Sequence, residues 1–370
     1  MGIAPGLILA CSIPLLFLFV IRRFDFYQSG QFGTIRVSLV LGGVVYLPAA
    51  LTNIVLEYSG VIDPEIVRRF VAPFVEEILK ALVLIYLIRS LHFTYVVDGA
   101  LYGFATGVGF AIVENFEYIF DPSTAIAVAL QRVFSANLVH AFSSAAIGIA
   151  LGVFWLRTSR LRWLVLGSGF ILAIGQHMVF NNLTRMNQFY PAATFIPGAP
   201  GLFFIYLVMQ RGKKQAQGWI KQKLGMDDRV TPGEVAAIDR LASTDEVLFP
   251  ILERFGAETA SQVEKLLYLE ARLGIKRKAL ESIQNNRTMH LAMEVEMHRI
   301  RAEIEETRHA IGTYPMLFVR GLFTEEMVSV WDQMQAKIQE RSAAKGVQKG
   351  GGLWSSLEER VKQSKEKERF

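Results

Sequence analysis

Long apolar stretches dominate the first 210 residues, and most of them are long enough to cross a lipid bilayer. A helix rises about 1.5 Å per residue, so roughly 20 apolar residues span the hydrocarbon core. The pattern predicts seven membrane helices, at residues 3–21, 35–57, 66–89, 97–120, 124–156, 161–183 and 195–210. The fifth stretch is too long for one span, and the seventh is short. We therefore expect an all-α, polytopic transmembrane helix bundle of about seven helices.

The pattern changes near residue 210 to amphipathic helical segments with polar faces. Thr231-Pro232-Gly233-Glu234 and Ser243-Thr244-Asp245-Glu246 both fit the capping box that begins a helix. Periodic segments near 261–284, 289–311 and 324–342 predict further helices, followed by a glycine run and a charged tail that we expect to be mobile. The chain is thus predicted to hold a transmembrane domain at 1–210 and a helical, charged cytoplasmic domain at 211–370.

Charge supports this division and argues against a nucleic-acid partner. Residues 1–210 carry 12 Lys+Arg and 10 Asp+Glu, whereas residues 211–370 carry 27 and 24. The net charge is only +5 and is spread along the chain, so basic loops beside a membrane explain it better than nucleic acid does. The single cysteine, Cys11, cannot form an intrachain disulfide.

Basic residues at the ends of the apolar stretches predict the orientation in the cell membrane. If the N-terminus lies outside, ten of these residues fall on the cytoplasmic side: Arg22, Arg23, Arg36, Arg89, Arg157, Arg160, Arg162, Arg211, Lys213 and Lys214. Four fall outside: Arg68, Arg69, Arg132 and Arg185. The majority favours a multi-pass protein with its N-terminus outside and its C-terminal domain in the cytoplasm. The first stretch lacks a positive N-terminal region, which indicates a retained anchor rather than a cleaved signal peptide.

The third stretch places three ionisable side chains, Glu76, Glu77 and Lys80, near the middle of a membrane helix. Each costs about 2.5–3.5 kcal/mol at that depth on insertion scales, so partners must face them. Glu76 and Lys80 are four residues apart and are expected to pair on one face. Glu77 points about 100° away and needs another partner. A buried ion pair or a proton relay would also fit these three residues.

Three further stretches bring polar groups to the same depth: Glu114 in the fourth, His140 in the fifth, and His177 with Asn181 in the sixth. Gly99, Gly103 and Gly107 form a small-residue stripe at four-residue spacing, which is typical of closely packed membrane helices. Each polar residue alone would fit a satisfied core group. Because four successive helices each carry such groups, we expect a shared cavity that contains water.

Peptide hydrolysis needs an activated water, a group that accepts its proton, and donors for the oxyanion. A buried glutamate suits the general base, while histidine and asparagine suit the oxyanion. Alternatively, His140, His177 and Glu114 match the ligand types of a catalytic zinc site, although no H-E-x-x-H pair is present. The sequence leaves dependence on Zn²⁺ open and suggests no other cofactor.

At these residues the chain resembles the PrsW family of intramembrane proteases, which is related to the type II CAAX prenyl endopeptidases and Abi membrane proteins. The matching motifs are Glu76-Glu77-x-x-Lys80, Phe110-x-x-x-Glu114-Asn115, His140 and His177-x-x-x-Asn181, in order on successive predicted helices. Prenyl endopeptidases typically have histidine where Glu114 stands and arginine near Lys80, which argues against a prenylated substrate.

The resemblance implies an intramembrane endopeptidase of metallo or glutamic type that cleaves membrane-anchored regulatory proteins such as anti-sigma factors. Glu76 and Glu77 would activate or position water, and His177 with Asn181 would bind the oxyanion or a metal. The predicted catalytic set is Glu76, Glu77, Lys80, Glu114, His140, His177 and Asn181, with Phe110 and Asn115 binding substrate.

Two hypotheses from other classes stay open at this point. A proton-coupled transporter would also place Glu, Lys and His inside the membrane, but it predicts two pseudo-symmetric halves, and the sequence has no internal repeat of that kind. A non-catalytic membrane scaffold would leave the buried charges unexplained.

Overall fold

The computed structural model describes residues 2–156, 159–185, 198–225, 228–241, 244–283 and 286–321. The predicted helix near 324–342, the glycine run and the charged tail lie outside the described residues. The membrane half contains α1 (Ile3–Arg23), α2 (Phe32–Tyr58), α3 (Pro64–Ile66), a π-helical turn (Val67–Val71), α4 (Ala72–Leu87), α5 (Val96–Tyr118), α6 (Ala125–Val133), α7 (Ala136–Leu156) and α8 (Leu161–Thr184). The remainder contains α9 (Gly198–Lys223), α10 (Pro232–Asp239), α11 (Thr244–Phe255), α12 (Ala257–Ser282), α13 (Arg287–Ile311) and α14 (Thr313–Gly321).

The predicted all-α membrane bundle is confirmed. In the described parts of the chain, five helical stretches are long and apolar enough to cross a membrane: Ile3–Arg23, Phe32–Tyr58, Val96–Tyr118, Ala125–Leu156 and Leu161–Thr184. The over-long fifth prediction is two helices, α6 and α7, joined by a turn at residues 134–135. The third prediction is divided by the π-helical turn, which leaves α4 with only 16 residues, three of them ionisable.

Helix α5 lies in the centre of the membrane bundle, between α2 and α7. The predicted glycine stripe makes this packing possible, because a Cβ on Gly99, Gly103 or Gly107 would overlap backbone carbonyl groups of α7. On the opposite face of α5, a Cβ on Gly109 would overlap the backbone of α2. Small residues therefore let three helix backbones approach closely, and this brings polar side chains of neighbouring helices within reach of each other.

The two ends of the bundle differ in what they contact. The end formed by the last turns of α2, α5 and α8 is called the site end, because the polar residues of interest lie nearer to it. The C-terminal helices pack against the opposite end, where Trp219 of α9 contacts Tyr95 with ring centroids 5.6 Å apart. There too, Lys276 of α12 donates a hydrogen bond to the Leu91 carbonyl at 2.8 Å. One hydrophobic core runs continuously from the membrane helices into these C-terminal helices.

Candidate active site

Helix α4 carries a buried ion pair that differs from the one expected. Lys80 Nζ lies 2.6 Å from Glu77 Oε1, and both side chains are fully buried. The expected Glu76–Lys80 pair is wrong. Positions three and four apart both lie about one helical turn away, so the sequence alone does not decide between them. The neighbouring helices decide, because α2 and α8 supply the groups that contact Glu76.

Glu76 is the carboxylate of α4 that faces open space. Its Oε1 accepts a hydrogen bond from Asn53 Nδ2 of α2 at 3.1 Å. Its Oε2 is buried and has no hydrogen-bond partner among the described residues. Because a buried, unpartnered carboxylate oxygen is costly, this atom marks the point where a water or a ligand would bind.

His177 of α8 lies between the two glutamates. Its Nδ1 is 2.8 Å from Glu77 Oε1, and its Nε2 is 3.8 Å from Glu76 Oε2. A carboxylate can only accept, so the hydrogen between His177 and Glu77 lies on Nδ1. In the neutral ring this leaves a lone pair on Nε2, which faces Glu76. Such a nitrogen suits a metal ion or the proton of a water better than it suits an oxyanion.

His140 of α7 is held from both sides. Lys80 Nζ lies 3.1 Å from its Nδ1, and Glu114 Oε2 lies 2.9 Å from its Nε2. An ammonium group only donates, so Nδ1 accepts and Nε2–H donates to Glu114. The His140 and His177 rings meet edge to face, with centroids 4.7 Å apart.

Glu114 of α5 has a second partner that the sequence did not suggest. Arg132 of α6 donates from Nη2 to Glu114 Oε2 at 2.6 Å and from Nε to Asn115 Oδ1 at 2.7 Å. Asn115 in turn donates to the Ala10 carbonyl at 3.3 Å. Asn115 is thus occupied by contacts within the protein, and its predicted role in substrate binding stays a prediction.

These contacts join residues from five helices into one group, which we call the polar cluster: Glu76, Glu77, Lys80, Glu114, Arg132, His140 and His177. A cavity of about 700 Å³ opens beside it. Its wall includes Glu76, Glu114, His140 and His177, with Arg68 and Arg185 also lining it. Glu77 and Lys80 lie behind this wall, fully buried. The structure therefore brings together the expected acids and histidines around one space.

Two predicted site residues, Asn181 and Phe110, make no hydrogen bond to the polar cluster. Asn181 also lines the cavity, but its Nδ2 donates to the Arg68 carbonyl at 2.9 Å, which ties α8 to the π-helical turn. Phe110 is buried behind the wall, with its ring centroid 5.0 Å from that of His140 and 4.6 Å from Lys80 Nζ. It supports the cluster from the inside, and its predicted contact with substrate stays a prediction.

Three residues offer ligand atoms close enough to hold one metal ion. One atom each from Glu76, His140 and His177 lies within 4.8 Å of the others. The predicted metal set contained Glu114 in place of Glu76. The structure instead places Glu114 against Arg132 and His140, so the geometry favours Glu76 as the carboxylate ligand.

Asn53 and Arg132 were not predicted as site residues. Asn53 is an amide inside a largely apolar stretch, and this was the available signal. Arg132 was interpreted only as a basic residue at a helix end, and its partner on α5 is visible only when the helices are packed.

Known proteins are similar to the part of the chain that carries this site. A family model described as PrsW family intramembrane metalloprotease matches residues 32–209, which include every residue of the polar cluster. None of the solved structures matches the chain.

Three curated relatives, each named Protease PrsW, are similar to the chain. The Clostridioides difficile (strain 630) protein is 32% identical over 150 residues, which cover 38% of this chain and 63% of that protein. The Bacillus subtilis (strain 168) protein is 30% identical over 173 residues, or 45% of this chain and 73% of that protein. The Geobacillus kaustophilus (strain HTA426) protein is 26% identical over 226 residues, or 60% and 92%.

Proposed function

The chain belongs to the PrsW family of intramembrane metalloproteases, and from this premise we propose that it hydrolyses membrane-anchored regulatory proteins in the cavity beside the polar cluster. The predicted family resemblance and the predicted class, an intramembrane endopeptidase, are confirmed. The chain spans 63% of the length of the first relative, so substrate and mechanism are proposed here from its own residues. The two other hypotheses, a proton-coupled transporter and a non-catalytic scaffold, do not explain why the chain belongs to a protease family.

The observation that carries the proposed mechanism is the isolation of Glu76. The polar cluster contains three carboxylates and two basic side chains besides the histidines, Lys80 and Arg132. Glu77 is paired with Lys80 and Glu114 with Arg132, whereas Glu76 contacts the neutral amide of Asn53. The unpaired carboxylate is the one whose free oxygen faces His177 across 3.8 Å. It is therefore the group best placed to accept a proton.

In the proposed reaction, Glu76 accepts a proton from the water that attacks the scissile carbonyl. Glu77 orients His177 through Nδ1–H, so that Nε2 faces the same water. Lys80 balances the charge of Glu77 and, with Glu114, fixes the ring of His140. Glu76 then donates the proton to the leaving amine, which completes the hydrolysis. Water is excluded from the other sides by the packed helices α4, α5 and α7.

The polar cluster fits the metal that the family description implies. Glu76, His140 and His177 would hold it, and the unpartnered Glu76 Oε2 and the Nε2 lone pair of His177 are suitable donors. Because Glu76 Oε2 cannot be a metal ligand and a free base at once, the role of Glu76 as base applies to the site without metal. Lys80 Nζ contacts Nδ1 of His140 and Glu114 Oε2 contacts its Nε2, so His140 would be a ligand only in place of one of these two contacts. The excess negative charge at Glu76 also favours a bound cation. When bound, a divalent metal would lower the pKa of a coordinated water and polarise the substrate carbonyl.

Metal dependence can be measured on the purified full-length protein. We expect about one metal ion per chain by elemental analysis, and loss of cleavage after chelation that is reversed by added Zn²⁺. His177→Ala should lower the bound metal, since it removes a ligand. Wild-type protein that is active and free of metal would contradict this assignment.

We further propose that the site end faces the outside of the cell membrane and the C-terminal helices face the cytoplasm. The four basic residues near the site end are each paired with an acid, by the contacts Arg68–Glu57, Arg69–Glu65, Arg132–Glu114 and Arg185–Glu65. At the opposite end, Arg22 and Arg36 lie over the Phe32 ring. The excess of unneutralised positive charge is therefore at that end, which is the cytoplasmic side by the positive-inside rule. With this orientation we propose a protease domain at 1–210 and a cytoplasmic domain at 211–370, with α9 crossing the boundary between them.

This orientation restricts the substrate to a protein with a segment that enters the outer half of the bilayer. A single-pass regulatory protein with an extracytoplasmic part, such as an anti-sigma factor, has this form. Trapping in native membranes with the Glu76→Gln variant should capture such proteins. Recovery of cytoplasmic proteins alone would contradict the proposed substrate class.

The central test compares Glu76→Gln with a control on the same end. Glutamine keeps an oxygen that accepts from Asn53 but cannot act as a base, so we expect cleavage of a trapped substrate to fall at least about 100-fold. The amount of protein in the membrane should stay near the wild-type level, because a buried charge is removed. Glu65→Gln, outside the cavity wall, should cleave within a few-fold of wild type. If Glu76→Gln cleaved at the wild-type rate, Glu76 would not be the base.

A further inference from the structure

Arg132 is a partly buried arginine whose contacts differ from those of the other basic residues at the site end. Its side chain is 11% exposed, whereas that of Arg69 is 40% exposed. Nη2 donates to Glu114 and Nε donates to Asn115, while the guanidinium lies over the Tyr118 ring at 3.8 Å from its centroid. Three neighbours on α5 therefore fix the position and the plane of this group.

The contact with Glu114 extends to His140. Arg132 and His140 share one oxygen, Glu114 Oε2, at 2.6 and 2.9 Å. Lys80 occupies the other ring nitrogen of His140 as a donor. The hydrogen of the His140 ring must therefore lie on Nε2, pointing at the oxygen that Arg132 holds. If Glu114 could rotate, this contact and the orientation of the ring would be lost.

We propose that Arg132 is a positioning residue for the cleavage reaction. It clamps Glu114 so that the Nε2–H of His140 keeps its acceptor and the ring keeps a fixed place in the cavity wall. Arg132 does not touch the reacting atoms. The proposal rests on the proposed function, because the rate that Arg132 sets is the rate of peptide hydrolysis.

A simpler role for Arg132 would be charge balance, since Glu114 needs a counter-charge inside the membrane. The two roles make different demands on the side chain. Charge balance needs one positive charge, which lysine also supplies. The clamp needs two adjacent N–H donors of a planar guanidinium, Nη2 on Glu114 and Nε on Asn115, and an ammonium group does not provide such a fixed pair.

The experiment measures kcat and KM for a membrane-anchored substrate in proteoliposomes that contain the full-length protein. We expect Arg132→Lys to keep KM near wild type and to lower kcat by about 10–100-fold, as is typical when a group that orients a site residue is lost. Arg69→Gln is the matched control, because it removes an exposed arginine from the same end, and it should leave both constants unchanged. A wild-type kcat for Arg132→Lys would reduce the role of Arg132 to charge balance and overturn the proposal.

The double variant Arg132→Gln with Glu114→Gln decides the case if Arg132→Lys protein does not accumulate. Removing both charges together avoids a stranded buried charge, so protein levels should recover. Cleavage should stay low, because an uncharged glutamine at position 114 does not restore the hydrogen bond from His140 to a carboxylate. Recovery of both protein level and kcat would overturn the proposal.

A measurement that does not depend on cleavage separates this proposal from the proposed function. The ¹H and ¹⁵N shifts of labelled histidine report how strongly the ring N–H is hydrogen-bonded, and the His140 signal is identified by its loss in His140→Gln. We expect a strongly hydrogen-bonded Nε2–H signal in the wild-type protein and a more weakly hydrogen-bonded one in Arg132→Gln, where Glu114 is free to turn away. Identical His140 signals in the two proteins would overturn the proposal, even if the chain is a protease. A protein with the expected shifts but without peptide hydrolysis would instead contradict the proposed function.

Discussion

Glu76 and Glu77 are adjacent in sequence, yet their side chains have different partners and different proposed roles. Glu77 is fully buried and uses one oxygen for both Lys80 and His177. Glu76 keeps an oxygen free beside the cavity. A carboxylate that is already paired serves to orient its neighbours, whereas an unpaired one is available for proton transfer. The proposed base and the proposed orienting group are thus neighbouring residues in the chain.

The Glu77–Lys80 pair should determine stability as well as activity. Glu77→Gln and Lys80→Ala each leave one buried charge without its partner, which costs about 3–5 kcal/mol, so both should lower the amount of protein in the membrane. Glu77→Gln combined with Lys80→Met removes both charges and should restore the amount of protein without restoring cleavage. Immunoblots of membranes and thermal unfolding in detergent would measure this. A single variant that accumulates normally would contradict the pairing.

At the level of helices, the position of His140 depends on how closely α5 and α7 approach. Gly107 of α5 faces the backbone of His140 itself, and a Cβ there would overlap the His140 carbonyl. Two functional residues, Glu114 on α5 and His140 on α7, are brought within 2.9 Å by this packing. The glycine stripe therefore serves the geometry of the site as well as the stability of the bundle.

Gly107→Ala should push α5 and α7 apart by a few tenths of an ångström or more. We expect a loss of about 1–3 kcal/mol in stability, which is typical of overpacking, together with reduced cleavage. Gly175→Ala on α8 is the matched control, since a Cβ there meets no atom within 4 Å, and it should behave like wild type. Thermal unfolding and cleavage of both variants would be compared. Equal unfolding temperatures would show that α5 and α7 have room at this point.

At the level of the whole molecule, the C-terminal helices contact the segment that joins two helices of the site. Lys276 of α12 is 4% exposed and donates to the carbonyl of Leu91, which lies between α4 and α5. Met289 and Met293 of α13 pack in a cluster that includes Leu91. A movement of the C-terminal helices would therefore displace the connection between α4, which carries Glu76, and α5, which carries Glu114.

Lys276 should give this junction a measurable pH dependence. Burial lowers the pKa of Lys276 to about 8, and the nearby charge of Glu296 opposes this shift only in part. In the unfolded chain the pKa of a lysine is about 10.4. Between about pH 8 and pH 10 the unfolded state therefore binds the proton more strongly than the folded state does, and the free energy of unfolding should rise with pH over this range.

Lys276→Met should remove this rise, and it should also cost about 1–3 kcal/mol because the Leu91 carbonyl loses its donor. Thermal unfolding of both proteins in detergent from pH 7 to pH 10 would test this. The exposed Lys265, which pairs with Glu303, provides a control in Lys265→Met, whose pH profile should match that of wild type. A rise of equal size in Lys276→Met would show that another group titrates.

The sequence by itself determined the all-α membrane architecture and the residues of the site that carry a motif. Apolar length defines a membrane span, and an ionisable residue within a span is costly enough to stand out. Glu76, Glu114, His140 and His177 were found in this way, and the structure places them around one cavity. The order of these motifs was also sufficient to identify the family.

Only the tertiary structure decided which of these residues contact each other. Helical spacing allowed Lys80 to pair with Glu76 or Glu77, and cross-helix neighbours selected Glu77. Asn53 and Arg132 joined the site because α2 and α6 pack beside α4 and α5. The periodicity of a helix determines which side chains share a face, but it carries no information about which face of another helix will meet it. Partners across helices therefore follow from packing alone.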